Sequence, residues 1–285
     1  MKLILGSAQF GSKYGVTNQK KPTLYDIKKI LNYAAKRKVK IIDTAQAYEK
    51  SETILGKYNL NRFDYIAKIK LSNKKDVGSQ LQSLTKRSLN KLNTKSIYCL
   101  MLHDDADLLK FNYKDLNREI TRLKLEKKIK YFGISIYDKK NIIKFIGKLN
   151  IDVLECPYNI FDRRIEDKKF IYLLKKNNVK IFVRSIFLQG ILLEQNFQNY
   201  KFLKKWFKNF EKYNSLLKEK NISNLEACIG FVKSKRFIHS TIIGINDIVQ
   251  FSEIFEVIKK KMKYNFDEFK INDTKLLNPY NWKKL

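Results

Sequence analysis

A chain of 285 residues that is 44% hydrophobic can bury the core of one barrel-sized domain or two small ones. No apolar run approaches the roughly 18 residues a membrane helix needs, and Met1–Gly6 is too short for a signal-peptide core, so a cytoplasmic protein with no membrane partner is expected. The formal charge of +31 would suit nucleic acid, but only nine of the 59 basic residues are arginine and the lysines are spread over nearly every expected helix, so a lysine-biased proteome accounts for it and no nucleic-acid partner is expected.

Taken in order, Lys2–Leu5 reads as a short apolar strand, followed by a loop punctuated by Gly6, Gly11 and Gly15 that carries Ser7, Gln9 and Tyr14. Pro22-Thr23 precedes a helix running to about Lys38, with Ile27, Ile30, Leu31, Ala34 and Ala35 at helical spacing. Lys40–Asp43 is a second strand. The segment Ser51–Gly56 opens a short helix to Tyr58. Phe63–Ile69 is strand-like, Val77–Leu92 an amphipathic helix, Ser96–Leu102 a strand ending on His103, and Leu116–Lys128 a helix. Ile129–Ile136 is a strand, Lys139–Lys148 a helix, Ile151–Cys156 a strand closed by Pro157, Ile165–Lys176 a helix, and Val179–Val183 a strand closed by Arg184-Ser185. Then Ile186–Asn199 reads as a loop with short structure, Tyr200–Lys220 and Ile222–Lys235 as helices, Thr241–Gly244 as a last strand and Asp247–Lys261 as a last helix. Residues 264–285 form a tail carrying Phe266, Phe269, Tyr280 and Trp282, which either cover a pocket or pack on the surface.

Eight short, continuously apolar strands alternate with helices, as parallel strands covered on both faces do. Eight repeats in under 300 residues favour a closed (β/α)8 TIM barrel, an α/β fold with a parallel sheet, over an open sheet. No G-x-G-x-x-G follows the first strand. No linker interrupts the pattern, so residues 1–285 are read as a single domain. The cysteines Cys99, Cys156 and Cys228 lie far apart in apolar runs and read as buried free thiols, and two histidines cannot build a histidine-rich metal site, so no metal is expected.

In such a barrel the active site lies at the C-terminal ends of the strands. The strands end on or near Asp43, Lys68, His103, Ser135, Glu155, Arg184-Ser185 and Gly244. Singly each has a bland reading: Asp43 as a helix-capping acid, Tyr48 as a packing ring, Lys68 as an outward lysine with Lys70 as a rival, His103 as a strand terminator. A barrel would bring them to one rim, which weakens those readings together.

The run Asp43-Thr44-Ala45-Gln46-Ala47-Tyr48, with Ser51-Glu52 and Gly56 after it, resembles the active-site motif of the aldo/keto reductase family. The resemblance extends through Ala67-Lys68, Met101-Leu102-His103-Asp104, Gly133-Ile134-Ser135, Pro157-Tyr158-Asn159, Arg184 to Gly190 and Ile243-Gly244, and so covers nearly the whole chain. It implies a tetrad of Asp43, Tyr48, Lys68 and His103. Tyr48 would give a proton to a carbonyl oxygen, Lys68 would lower its pKa from the usual value of about 10, Asp43 would hold Lys68, and His103 would orient the carbonyl.

The same resemblance implies a nicotinamide cofactor, NADP(H) by family default rather than NAD(H). Ser135 and Glu155 would hold the carboxamide, Arg184 would pack on the ring, and Ser185, Leu188 and Gly190 would follow the pyrophosphate. Gly244, Asn246, Gln250 and Glu253 would meet the adenosine end, with Ser7 and Asp43 also near the cofactor. Glu155 stands where glutamine is usual and Glu49 where glycine is usual. Asn246 stands where relatives place a basic residue against the 2′-phosphate. The expected substrate is a small carbonyl compound, a sugar or nucleotide-sugar by the resemblance to bacterial members. A cofactor-binding barrel acting as a catalytically silent sensor or partner subunit is the alternative, and the intact tetrad weighs against it. Oligomeric state is not legible.

Overall fold

A computed structural model of the protein describes residues 1–17, 21–58, 62–72, 76–260 and 266–284. Eight strands close into a barrel in chain order: β1 (Lys2–Gly6), β2 (Ile41–Ala45), β3 (Asp64–Ile69), β4 (Ile97–Leu102), β5 (Ile129–Ser135), β6 (Val153–Pro157), β7 (Lys180–Arg184) and β8 (Ser240–Gly244). Every pairing is parallel, and β1 meets β8 to shut the ring, with Leu5 opposite Ile243 and Gly6 opposite Gly244. The expected TIM barrel is the observed fold.

The helices are α1 (Ala8–Gly11), α2 (Leu24–Lys36), α3 (Ser51–Lys57), α4 (Val77–Leu92), α5 (Tyr113–Leu125), α6 (Lys168–Lys176), α7 (Phe207–Glu219), α8 (Asn224–Lys233), α9 (Ile248–Lys259) and α10 (Thr274–Leu277). Each long helix buries one stripe on the barrel. In α2 the buried residues are Ile27, Ile30, Leu31 and Ala34, the spacing of a single helical face. Its start is fixed by a capping box in which Thr23 accepts from the Asp26 amide and Asp26 reaches back. Asp76, Asn112, Asp167, Ser223 and Asp247 cap α4, α5, α6, α8 and α9 in the same sense.

Three expected elements differ. Residues 139–148 are not a helix but turns around a short 3-10 segment, Ile142–Lys144. The adjacent β-branched pair Ile142-Ile143 is a poor helix former, and Gly147 takes φ 85, which ends any helical run. The long helix expected over 200–220 is a 3-10 segment, Lys201–Trp206, that gives way to α7. α5 begins three residues early because Asn112 caps it. Lys261, expected at the end of the last helix, and residues 264 and 265 of the tail lie outside the described residues.

Inside the barrel a dry plug of Ile4, Ile66, Cys99, Met101, Val153, Phe182 and Ile242 fills the lower half. Side chains alternate along a strand, so Lys68, two residues after Ile66, also points inward. The tail is latched to the β6–α6 loop: Arg163 donates to Asp267 (2.7 Å) and to the Phe266 carbonyl, and Asp162 bridges to Ile271. Phe266, Phe269 and Trp282 pack in the core, whereas Tyr280 is exposed.

Glycine is required where α1 crosses the loop after β2, because a Cβ on Gly11 would run into the backbone carbonyl of Tyr48. Gly11→Ala should cost about 2 kcal/mol of stability, measured by urea unfolding, because backbone rather than a flexible side chain must move.

Candidate functional site

Four charged side chains meet at the upper end of the plug. The Lys68 ammonium donates to both Asp43 oxygens, each at 2.7 Å, and to Glu155 Oε1 and Oε2 at 3.0 and 3.1 Å. Arg184 Nε lies 3.0 Å from Glu155 Oε1. Ser135, which stands opposite Glu155 in the β5–β6 register, adds its hydroxyl at 3.3 Å. Lys68, Asp43 and Glu155 are all essentially without solvent contact. Lys70 is exposed beyond the end of β3, so the choice between the two lysines falls on Lys68.

Tyr48 and His103 flank this cluster. Their rings meet edge-on with centroids 5.8 Å apart, and the Lys68 ammonium lies 5.5 Å from the Tyr48 ring centroid. Outward from Arg184, the Tyr137 ring stacks 4.4 Å from the guanidinium carbon, and Tyr280 packs edge-on against Tyr137. The tail therefore reaches the mouth of the site through one side chain.

The cluster titrates as a unit. Burial alone would strip Lys68 of its proton, but Asp43, Glu155 and Tyr48 outweigh it and hold the ammonium well above its usual range. Burial pushes Asp43 up to about 7 against the pull of Lys68. Glu155 is equally buried, yet Lys68 and Arg184 together hold it below the usual carboxylate range. Two carboxylates sharing one ammonium cannot both be favoured, and the one with the second cation keeps its charge more firmly. His103 is pushed down to about 4, by burial first and then by Lys68, so its imidazole is neutral near pH 7. Lys68 lowers the Tyr48 pKa as expected, but burial is the larger effect and leaves the phenol above its usual range.

A cleft of about 880 Å³, part of it open to solvent, runs from Asp43 and Tyr48 past Arg184 and Ser185 to Asn246 and Gln250 at the start of α9. One wall is the loop after β7. Ser185, Leu188 and Gln189 there have φ of 57, 47 and 55, and Gly190 has φ 99. Side chains rarely adopt this region, at a cost on the order of 1–3 kcal/mol each. The strain is held by Asn159, whose amide donates to the Ser185 carbonyl at 3.0 Å, and by Val16, whose N–H donates to the Gln189 carbonyl at 3.2 Å. The opposite wall is the loop after β1, including Gln9, Tyr14 and Thr17. A Cβ on Gly244 would collide with the Gln9 amide. The Gln9 and Asn246 side-chain oxygens are buried with no protein partner.

Of the residues singled out in the sequence, Asp43, Lys68, Ser135, Glu155 and Arg184 are brought together, with Tyr48 and His103 beside them. Ser185, Gly190, Gly244, Asn246 and Gln250 line the cleft with Asp43 and Tyr48. Three others face elsewhere. Ser7 is fully buried; its hydroxyl donates to the Asp43 carbonyl at 2.8 Å and receives Ser51, so it braces β2 instead of facing the cleft. Leu188 is buried in the core, and Glu253 is exposed on α9 outside the lining. Gln189, Thr17, Phe187 and Tyr137 were not read from the sequence. Their places follow from loop conformation, and the only signal was the glycine punctuation around them. Glu49 has φ 46, which explains why glycine suits that position.

Comparison with known proteins agrees with this geometry. An uncharacterised oxidoreductase of Bacillus subtilis strain 168, YqkF, is 28% identical over 179 residues, an alignment spanning 58% of this chain and only 57% of that protein. Among solved structures, the aldo-keto reductase AKR11C1 from Bacillus halodurans superposes with a TM-score of 0.75 at 18% identity, covering 94% of this chain and 89% of that one. The glycerol dehydrogenase AKR11B4 from Gluconobacter oxydans gives 0.72 at 19% identity, covering 92% and 88%. These two likenesses speak to the fold. The sequence pattern of the aldo/keto reductase family matches residues 2–275, and the chain belongs to that family.

Proposed function

We propose that this protein is a nicotinamide-dependent reductase that converts an aldehyde or ketone to an alcohol. The observation that carries the reading is the buried Asp43–Lys68 pair with Tyr48 and His103 beside it, at the end of a cleft that runs to the start of α9. The cleft suits a nicotinamide cofactor on three counts. Buried oxygens of Gln9 and Asn246 lack partners. Gly190 and Gly244 leave room where side chains would clash with Thr17 and Gln9. The N-terminus of α9 lies at the far end, with Asp247 taking the Gln250 amide. Ser185, Gly190, Gly244, Asn246 and Gln250 would hold the cofactor, with Arg184 beside its ring.

The bound cofactor would supply hydride to the carbonyl carbon. Tyr48 meets the charge that develops on the oxygen by giving up its phenolic proton. Its raised pKa means that it is protonated across the neutral range and ready to act as acid. His103, neutral above about pH 4, can donate one hydrogen bond and orient the carbonyl without competing for the proton. Lys68 sits close enough to ease departure of the proton, and Asp43 fixes its ammonium. The aromatic rim of half-buried Tyr137 and exposed Tyr280 borders the entrance where a substrate such as a sugar carbonyl would approach.

Three experiments test this reading. Tyr48→Phe should lower kcat for carbonyl reduction by about 10²–10⁴-fold while leaving calorimetric affinity for NADP⁺ and NAD⁺ within about twofold; an active Phe enzyme would remove Tyr48 as donor. Lys68→Met should abolish activity and destabilise the fold by about 3–5 kcal/mol, because Asp43 and Glu155 are left buried without their common cation. Lys70→Met should do neither. For the cofactor we favour NADP(H), the family default. No basic side chain stands at 246, so Asn246→Arg should strengthen NADP⁺ over NAD⁺ by roughly tenfold, the scale of one charge-assisted contact. An unchanged ratio in calorimetry would put the adenosine end elsewhere.

A further inference from the structure

Glu155 is engaged in a way that holding a cofactor amide does not explain. It is fully buried, and its Oε1 is approached by Lys68 Nζ (3.0 Å), Arg184 Nε (3.0 Å) and Ser135 Oγ (3.3 Å), while Oε2 accepts from Lys68 at 3.1 Å. The Lys68 ammonium is thus chelated by two carboxylates. Above about pH 7, where Asp43 is ionised, Lys68 and Arg184 are positive, Asp43 and Glu155 are negative, and the four charges cancel.

The groups that face this centre come from every side of the barrel. Asp43 comes from β2, Tyr48 from the loop after it, Lys68 from β3 and His103 from the end of β4. Ser135 comes from β5 and Arg184 from β7, with Tyr137 stacked outside Arg184. A lysine held by one carboxylate would present its remaining field to the nearby phenol and favour phenolate. A lysine held by two does so far less, because the second negative charge acts on the same phenol with opposite sign.

We propose that Glu155 is a positioning residue: it clamps the Lys68 ammonium and, balanced by Arg184, offsets part of the pull that Lys68 exerts on the Tyr48 proton, adding to the burial that keeps the phenol an acid. The kinetic consequence rests on the function proposed above; the electrostatic consequence does not.

Glu155→Gln preserves shape and deletes one negative charge, leaving the cluster at +1. The Tyr48 proton then leaves more easily. The alkaline limb of kcat/KM for carbonyl reduction should move to lower pH by roughly one unit. In ligand-free protein labelled with 13C-tyrosine, the Tyr48 ring resonance, assigned by its loss in Tyr48→Phe, should titrate lower by the same amount. Adding Arg184→Gln to Glu155→Gln restores a net charge of zero and should return the titration to its original position, which no purely structural defect would do. Glu155→Asp keeps the charge and should keep the titration. An unmoved resonance in Glu155→Gln, or no recovery in the double variant, overturns the proposal. If Glu155→Gln does not fold, Arg184→Gln alone must hold the Tyr48 proton to higher pH than the double variant does, and equal titrations would overturn it. The resonance needs no substrate. A wild-type protein inert toward carbonyls would sink the functional reading and leave this test standing.

Discussion

An ammonium ion sits in the mouth of the barrel almost wholly shielded from solvent, and the surrounding structure is arranged to make that tolerable. Removing a charge from water costs several kcal/mol even after relaxation. Lys68 recovers that cost from Asp43 and Glu155, and Glu155 in turn needs Arg184. The plug beneath, from Ile4 to Ile242, offers no polar partner and blocks water from below. Four strands must therefore end in register for this ion and its partners to be satisfied. Asp43 comes from β2, Lys68 from β3, Glu155 from β6 and Arg184 from β7, and a slip of one residue in any of them would turn its side chain out of the barrel. Such a network is poor evidence of stability, since apolar residues of similar volume often do as well. Its retention points to chemistry.

Around this centre the structure spends conformational energy. The loop after β7 carries three non-glycine residues at positive φ within six positions, and hydrogen bonds from Asn159 and from the loop after β1 hold it there. Strain of this kind persists only where neighbours over-determine it. Here it aims backbone at a cleft and keeps side chains out of the way at Gly190 and Gly244. Ser7 and Ser51 do the corresponding task on the other side. They form a buried hydroxyl chain that ties the Asp43 backbone to the end of β1 and the start of α3.

How much of this the sequence disclosed depended on the range of the interactions. The strands were legible because parallel strands are apolar on both faces, and α4 was legible to its end residues because its stripe is long and Asp76 caps it. Asp43, Lys68 and His103 were legible because an ionisable residue at the end of an apolar strand has few other reasons to be there. Lys68 against Lys70 was not, since both share a parity and only the end of β3 at Ile69 separates them. The failed helix at 139–148 shows local periodicity outweighed by Gly147 and a β-branched pair. Ser7 looked like a loop residue free to meet a ligand, and its burial comes from contacts 36 and 44 residues away. The raised Tyr48 pKa was also out of reach, because it comes first from burial, which is a property of the closed ring.

The charge of +31 can now be set beside a site whose own charges cancel. Surface lysines act at long range: they raise the local concentration of anions and speed encounter, and salt weakens them. The buried cluster acts at a few ångströms, where salt does not reach and where Lys68 and its carboxylates act on one buried phenol. In the proposed reading the two fields have separate tasks. The outer one gathers phosphorylated ligands without discriminating among them. The inner one is kept near zero so that the gathered charge does not also ionise the proton donor. A basic composition therefore says little about the reaction, because the groups that carry it are insulated from that composition by the barrel wall.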